Sequence, residues 1–410
     1  MPLNREIQIK KLIREKYLSR IRPFYYENEI IKVLVGVRRC GKSEILSQIR
    51  DELIKNGVDE ESIVFINFDK RPYKSVHTAR QLEKLLDEKV IPEQQMYIFL
   101  DEIQNVENFE PVVEAFRLEE NCSIFITGSN SCLLSGELAT KLTGRYVEFL
   151  IQPFSFQEVV DYGGNREETS VSFNKYLQYG GYPYIQHLDA APAMQYIHSV
   201  IDEIFKTDLQ KRLKIRNRSL FERILRFVCT NSGWTVSTES VIRYLKSEHI
   251  RTTVKTVSKY LAGIESAKII TKCPRYDIRG KKNLQYYEKV YIVDPAFRTY
   301  FMFGSPVDYS SLLETIVFNE LLSRGYEVKI GKLKKGEVDF VVSNGNTLAY
   351  VQVTYLMADP STKKREFQSL LAIRDGYKKV ILSMDPINMS QNGIENISIT
   401  DFLLQKKNIF

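Results

Sequence analysis

The sequence predicts an α/β chain. A doubly wound parallel sheet around a phosphate-binding loop comes first, followed by a helical connector, a three-helix segment with a β-hairpin, and a second α/β unit. Three observations predict this. A β-branched strand runs into a glycine-rich loop and an amphipathic helix between Ile31 and Leu53. Three further apolar runs of strand length alternate with helical spacing before residue 130. And 410 residues, at roughly 150 per domain, imply about three cores. The expected divisions are 1–165, 166–215, 216–303 and 308–410.

Residues 31–36, IKVLVG, form the first strand, and Gly36 to Ser43 read GVRRCGKS, a match to G-x-x-x-x-G-K-[ST]. Ile45, Leu46, Ile49 and Leu53 then recur at helical spacing. Gly36 and Gly41 let the backbone curl so that its N–H groups face phosphate, and the helix N-terminus adds its dipole. Gly36, Arg39, Cys40, Gly41, Lys42, Ser43 and Glu44 form the expected nucleotide contact. Within it Lys42 reaches the β- and γ-phosphates and Ser43 ligates Mg²⁺. About sixty residues on, YIFLDE ends in an acidic pair. Asp101 is expected to hold the Mg²⁺ shell and Glu102 to orient and deprotonate the attacking water. SIVFINFD (62–69) and SIFITGS (123–129) supply two more strands of buried type.

In this order VLVGVRRCGKS, FLDEIQ, FITGSNSCLLSGE, LTGRYVEFLIQPFSFQE and YGGYP resemble a prokaryotic family of AAA-type ATP-binding proteins, over nearly the whole chain. The resemblance implies ATP binding and hydrolysis and leaves the biological role open. In such ATPases a polar sensor follows the third of these strands. Thr127, Ser129 and Asn130 occupy that stretch, with Asn130 or Ser129 placed to bond the attacking water, though a Ser/Asn-rich turn reads the same. Arg145, in LTGRY, takes the place of an arginine finger or of a structural ion pair, acting in its own chain or in a neighbouring subunit.

Composition excludes several classes. Hydrophobic residues make up 43% and charged residues 27%, ordinary for a globular chain. No apolar run reaches the ~18 residues of a membrane span, and the charged N-terminus does not read as a secretory signal. Five scattered cysteines without a C-x-x-C point away from zinc and toward a reducing cytoplasmic compartment. The net charge is +7, but residues 206–289 hold 20 Lys/Arg against 7 Asp/Glu, so the rest of the chain is net acidic. A basic segment in an acidic chain points to a polyanion partner, DNA first, with a solvated basic surface as the alternative.

The connector, 166–215, is helical. His187 and His198 lack an acidic partner at ligand spacing and read as ordinary histidines. From 219, three helices (SLFERILRFVCTNS, STESVIRYLKSE, TTVKTVSKYLAGIESA) precede two strands around RGKKN, the pattern of a winged helix. Lys255, Thr256 and Lys259 would face a DNA groove, with Arg275, Arg279, Lys281 and Lys282 near phosphates. Packing or homo-oligomer formation is the competing use of such a segment. From 311, an α-β-β-β-α-β order resembles the restriction-endonuclease-like (PD-(D/E)XK) fold. That resemblance implies a metal-binding set of Glu314, Asp339 and Gln352, with Glu337 as an extra carboxylate. The lysine of that motif is replaced by Thr354, with Lys332, Lys334 and Lys335 nearby in sequence. A nuclease and a binding module that keeps the nuclease-like fold both remain open.

Overall fold

A computed structural model describes residues 11–119, 121–128, 144–164, 167–210, 213–302 and 308–410. The N-terminal part contains α1 (Glu15–Ile21), β1 (Ile31–Val35), α2 (Lys42–Lys55), β2 (Ile63–Asn67), α3 (Ala79–Asp87), β3 (Met96–Asp101), α4 (Glu110–Glu119), β4 (Cys122–Gly128) and β5 (Tyr146–Leu150). The five strands form one parallel sheet in the order β2-β3-β4-β1-β5. β1, β3 and β4 are buried along their whole length, as continuous apolar runs in a sheet covered on both faces must be. Ile31, Val33, Ile98, Leu100, Ile124 and Ile126 pack toward α3 and α4, while Leu34, Phe99 and Phe125 pack toward α1 and α2. α2 turns Ile45, Leu46, Ile49 and Leu53 inward, the stripe its spacing predicts.

The connector consists of α5 (Phe156–Gly163), α6 (Thr169–Tyr179), a short 3₁₀ turn at Pro183–His187, α7 (Ala190–Ile204) and a π-helical turn at Phe205–Gln210. α5 opens with a capping box: the Ser155 hydroxyl accepts from Glu158 N and the Glu158 carboxylate accepts from Ser155 N. The YGGYP glycines have a steric reason. A Cβ on Gly180 would lie 1.8 Å from Asp294 Oδ1, and one on Gly181 would lie 1.9 Å from the Phe154 carbonyl oxygen. Gly181 N donates to Asp294, whose carboxyl burial pushes up to about 7.

Next come α8 (Arg218–Thr230), β6 (Trp234–Thr235), α9 (Thr238–Ser247), α10 (Val254–Ser266), the hairpin β7 (Ile270–Asp277) and β8 (Lys282–Ile292), and α11 (Pro295–Met302). The C-terminal part contains α12 (Tyr309–Ser323), β9 (Glu327–Lys332), β10 (Glu337–Ser343), β11 (Leu348–Val353), α13 (Pro360–Leu371), β12 (Lys378–Ser383), β13 (Glu395–Ser398) and α14 (Ile399–Leu403). Three helices and a hairpin, then an α-β-β-β-α-β order, follow the sequence pattern. The hairpin, however, is not a projecting wing. β7 pairs in parallel with β9, which joins β6 to β13 into one eight-stranded sheet, β13-β12-β11-β10-β9-β7-β8-β6. That sheet crosses the division expected near residues 303–308. α12 lies inside the structure, with Leu313, Ile316, Val317 and Leu321 among its buried residues. Its Asn319 amide donates to the Ile292 and Val293 carbonyls.

Arg14 joins the N-terminal part to the connector. Its guanidinium, wholly buried, donates to Glu158 through two nitrogens (2.7 and 2.9 Å), to Cys40 O (2.9 Å) and to Gln152 O (3.0 Å). Burial alone would raise the Glu158 carboxyl, but Arg14 outweighs it and holds it below the ordinary range. Replacing Arg14 by Met leaves a buried carboxylate without its cation and should cost about 3–5 kcal/mol in urea unfolding. Adding Glu158→Gln should restore a large part of that loss.

A second buried cation is Lys32, in the middle of the sheet. Its ammonium donates to Glu27 O and Ser123 Oγ and lies 4.5 Å from the Phe125 ring centroid, with no carboxylate in that set. Burial lowers it from 10.5 to about 7. A lowered folded value means the unfolded chain holds more protons between these pH values. The penalty is therefore complete below pH 7 and is relieved as pH rises toward 10.5. Lys32→Met should accordingly be more stable than the parent at pH 7 in thermal melts, with the gap closing by about pH 10.

Candidate nucleotide site and a second charge cluster

The phosphate-binding loop forms where β1 hands over to α2. Ile151 N donates to Val35 O, which brings the exit of β5 against the loop. A Cβ on Gly36 would then meet Ile151 O at 2.0 Å, so only glycine fits. Gly41 has φ +102°, the left-handed conformation that lets the chain swing into the helix. Arg39 also has positive φ, +64°. Lys42 is buried and its ammonium donates to the loop's own carbonyls, Gly36 O (2.9 Å) and Val37 O (3.3 Å). The Cys40 thiol is packed in the core and burial pushes it up, so this residue gives the loop its main chain only. Glu44 is half-buried and lies 3.8 Å from Lys11.

The ends of β2, β3 and β4 meet this loop. Ser43 Oγ donates to Asp101 Oδ1 at 3.0 Å. The same carboxylate, fully buried, accepts from the Asn67 amide and the Thr127 hydroxyl. Thr127 Oγ1 in turn accepts from Glu102 N at 3.0 Å, and Glu102 sits at φ +60° with its carboxylate bonded to the Gln104 amide. Thr127 is thus the polar end of β4 that organises the acidic pair. Ser129 and Asn130 lie outside the described residues. The donor set suits Mg²⁺, because a hydroxyl and one carboxylate oxygen sit together and leave positions for phosphate and water. Among the described residues no group of three or more His, Cys, Asp or Glu could hold a metal. His187 bonds Tyr162 OH and His198 packs on Tyr300.

The connector brings charges that sequence reading missed. Arg38 pairs with Glu203 (3.2 Å) and Asp208 (3.8 Å), and Arg39 pairs with Glu203 (2.5 Å). Glu203 ends α7 and Asp208 lies in the π-helical turn. Burial raises the Asp208 carboxyl and Glu102 adds to it, while Arg38 and Lys42 pull the other way. Asp208 therefore feels both Lys42 and Glu102. Arg145 is not brought to the loop. Its carbonyl accepts from Ile31 N, at the start of β1, and the loop follows Val35 four residues later, about 13 Å along the strand. A finger role for Arg145 on its own chain's site does not fit that position.

A second cluster gathers the nuclease-like residues. Glu314 from α12, Glu337 and Asp339 from β10 and Gln352 from β11 converge, and the hairpin adds three groups. Lys289 on β8 bonds both Glu314 (2.9 Å) and Glu337 (2.8 Å). Tyr291 donates to Glu314, and Arg275 pairs with Glu337 at 2.7 Å. Asp339 accepts from Val353 N, and Asp339 N donates to Gln352 Oε1. Burial, then Glu314, raises Asp339 well above the carboxylate range; burial raises Glu314 despite Lys289. Glu337 stays below that range because Lys289 and Arg275 outweigh its burial. So a lysine does stand beside these acids, supplied by β8 rather than by position 354, where Thr354 is buried. Arg275 is committed to Glu337, whereas Lys255, Lys259, Arg279, Lys281 and Lys282 are exposed.

Comparison with known proteins finds an AAA domain over the residues that carry the first site. Residues 28–160 match the model of an AAA domain, and residues 170–306 match a domain of unknown function (DUF8612). A protein of Haemophilus influenzae described as uncharacterized is 36% identical over 397 residues, covering 96% of this chain and 98% of its own. A Methanocaldococcus jannaschii protein described likewise is 27% identical, covering 97% and 88%. Among solved structures, a Walker-type ATPase of Pyrococcus abyssi aligns over 72% of this chain and 97% of its own, at 16% identity and a TM-score of 0.49. The Aeropyrum pernix ORC1 protein in complex with DNA aligns over 78% and 96%, at 13% and 0.32. No helix among the described residues is long and apolar enough to cross a membrane. The chain belongs to the family of the H. influenzae protein and carries the AAA domain of a P-loop ATPase fold in its N-terminal part.

Proposed function

We propose that this chain binds and hydrolyses ATP with Mg²⁺ and uses its nucleotide state to control DNA binding by its basic half. The carrying observation is the meeting of Ser43 with Asp101, one residue from Lys42 on one side and from Glu102 on the other. When nucleotide binds, Lys42 exchanges the loop carbonyls for phosphate oxygens, and the loop N–H groups hold the rest. Bound Mg²⁺ would neutralise charge on the β- and γ-phosphates beside Ser43 and Asp101. Glu102, held by Thr127 through its main chain, orients and deprotonates water. Arg38 and Arg39 are drawn toward the phosphates and away from Glu203 and Asp208. α7 and its π-helical turn therefore report what the loop holds. Arg145 and Asn130 enter as an arginine finger toward a neighbouring copy and as the water sensor. Exposed Lys255 and Lys259 on α10 and the RGKKN turn supply the DNA contacts, the turn standing at the end of a sheet rather than on a free wing.

A second reading is a Mg²⁺-dependent nuclease gated by ATP. The presence of Lys289 beside Glu314, Glu337 and Asp339 favours it. Against it, Glu314 and Glu337 spend their charge on Lys289 and Arg275, so a binding module is the better account. A protein-interaction switch without DNA is the third reading.

ATP hydrolysis measured with and without duplex DNA tests the proposal. Lys42→Ala should lower turnover at least a hundredfold or so, and Glu102→Gln about 10²–10⁴-fold with nucleotide still bound. Stimulation by DNA that fades with salt is expected. DNA-indifferent hydrolysis would favour the protein switch, and magnesium-dependent cleavage lost in Asp339→Ala the nuclease. Asp208→Asn removes a negative charge facing the phosphates and should tighten ADP binding about tenfold by calorimetry.

A further inference from the structure

Two basic turns far apart in sequence are neighbours in space. β7 and β9 run in parallel, with Asp277 opposite Lys332, so both strands finish at the same end of the sheet. The turns that follow lie side by side: Ile278 N donates to Lys332 O at 3.2 Å, and a Cβ on Gly331 would touch the Ile278 side chain. The first turn carries Arg279, Lys281 and Lys282, and the second Lys332, Lys334 and Lys335. All six are exposed and none forms a salt bridge among the described residues. The first turn's carboxylate, Asp277, is folded onto Gly280 N and Arg279 N and is held below its usual range by those N–H groups. The second turn's carboxylate, Glu337, is already paired with Arg275 and Lys289.

Exposed aromatic rings lie elsewhere on the same eight-stranded sheet and on the helix packed against it. Trp234, 62% exposed, pairs with Val290 on β8, which pairs with Lys272 on β7, five residues or about 17 Å before Asp277, and Arg275 between them bonds Thr235. Gly233 approaches Ser311 in the first turn of α12, where Tyr309 begins the helix. Tyr309 stacks on Tyr355 with centroids 5.2 Å apart and planes 18° apart, and both rings are 41% exposed. Flat rings left in water, a few nucleotide lengths from six unpaired cations, match unpaired bases on a phosphate backbone. A duplex, whose bases are already stacked, would use the cations and not the rings.

We infer that this surface binds single-stranded nucleic acid, with phosphates on the two adjoining turns and bases on Trp234 and the Tyr309–Tyr355 pair. The inference rests on the nucleic-acid reading of the basic half and names the surface and the strand state. It gives α10 no part in holding the strand.

Trp234 is the chain's single tryptophan, so its fluorescence reports at the surface itself. The full chain, without nucleotide, is titrated with a twenty-residue oligothymidylate, with fluorescence anisotropy of a labelled strand as the second readout. Saturable quenching is expected, and blunt duplex of equal length should bind more weakly. Changing Arg279, Lys281 and Lys282 together to Gln should weaken binding at least about tenfold and flatten the log–log salt slope by about 2, at ~0.7 per phosphate contact. Tyr355→Ala should weaken it about fivefold or more with the salt slope unchanged. Equal or tighter duplex binding would overturn the inference, as would binding indifferent to both changes. So would capture of phosphatidylserine vesicles with the same dependence on the turn cations and no oligonucleotide binding. Loss of strand binding in Lys255→Gln/Lys259→Gln, with the turn variants intact, would overturn this surface and leave the DNA reading standing. No binding of any nucleic acid would remove both.

Discussion

The buried Arg14 guanidinium is the interaction on which the arrangement depends. A charge taken out of water costs several kcal/mol unless every donor finds a partner. Here the partners come from three parts of the chain: the phosphate-binding loop through Cys40 O, the exit of β5 through Gln152 O, and the first turn of α5 through Glu158. None of these can shift alone without stranding the others. The loop's shape is therefore enforced from behind, by a residue that never faces its open side, while Ile151 O closes against Gly36 on the adjacent flank.

The same contacts lead on to the C-terminal half. Gln152 reaches Asn319, and Lys16, two residues after Arg14, pairs with Glu320. Both partners lie on α12, which carries Glu314 into the second charge cluster little more than a turn earlier. One buried helix thus has its C-terminal half tied to the nucleotide fold and its first half in the acid–lysine network. Across the molecule, Glu203 and Asp208 link the loop's arginines to the connector. The loop is gripped by a rigid contact at Arg14 and by ion pairs at Arg38 and Arg39. Of these, the ion pairs are the ones an incoming polyphosphate can outcompete.

What the sequence disclosed follows from the range of the interactions. β1, the glycine loop and α2 are contiguous, and their periodicity and two glycines state the geometry outright. Asp101 and Glu102 were legible because an acidic pair closes an apolar strand. Arg14 was not, since in a charged N-terminal run it looks like any solvated arginine. Asp208 sits among alternating charges in a helix, and its neighbours are set by how that helix docks. Lys289 could not be matched to Glu314 and Glu337 because strand pairing brings it to them. The partner of Arg275 is hidden for the same reason: on the hairpin it reads as a phosphate contact, whereas the neighbouring strands give it a carboxylate.

The parallel pairing of β7 with β9 bears on how the chain can be divided. A polypeptide ended near residue 303 would keep the three helices and the hairpin but lose β9. The β7 backbone would then offer unpaired N–H and C=O groups along an open flank, the template on which other chains add strands. The matching piece from residue 308 onward would expose β9 in the same way and would lose Lys289 and Arg275, leaving the carboxylates of Glu314 and Glu337 to repel one another. The break that looks natural along the chain thus runs through the middle of a sheet. The two halves are better regarded as one folding unit.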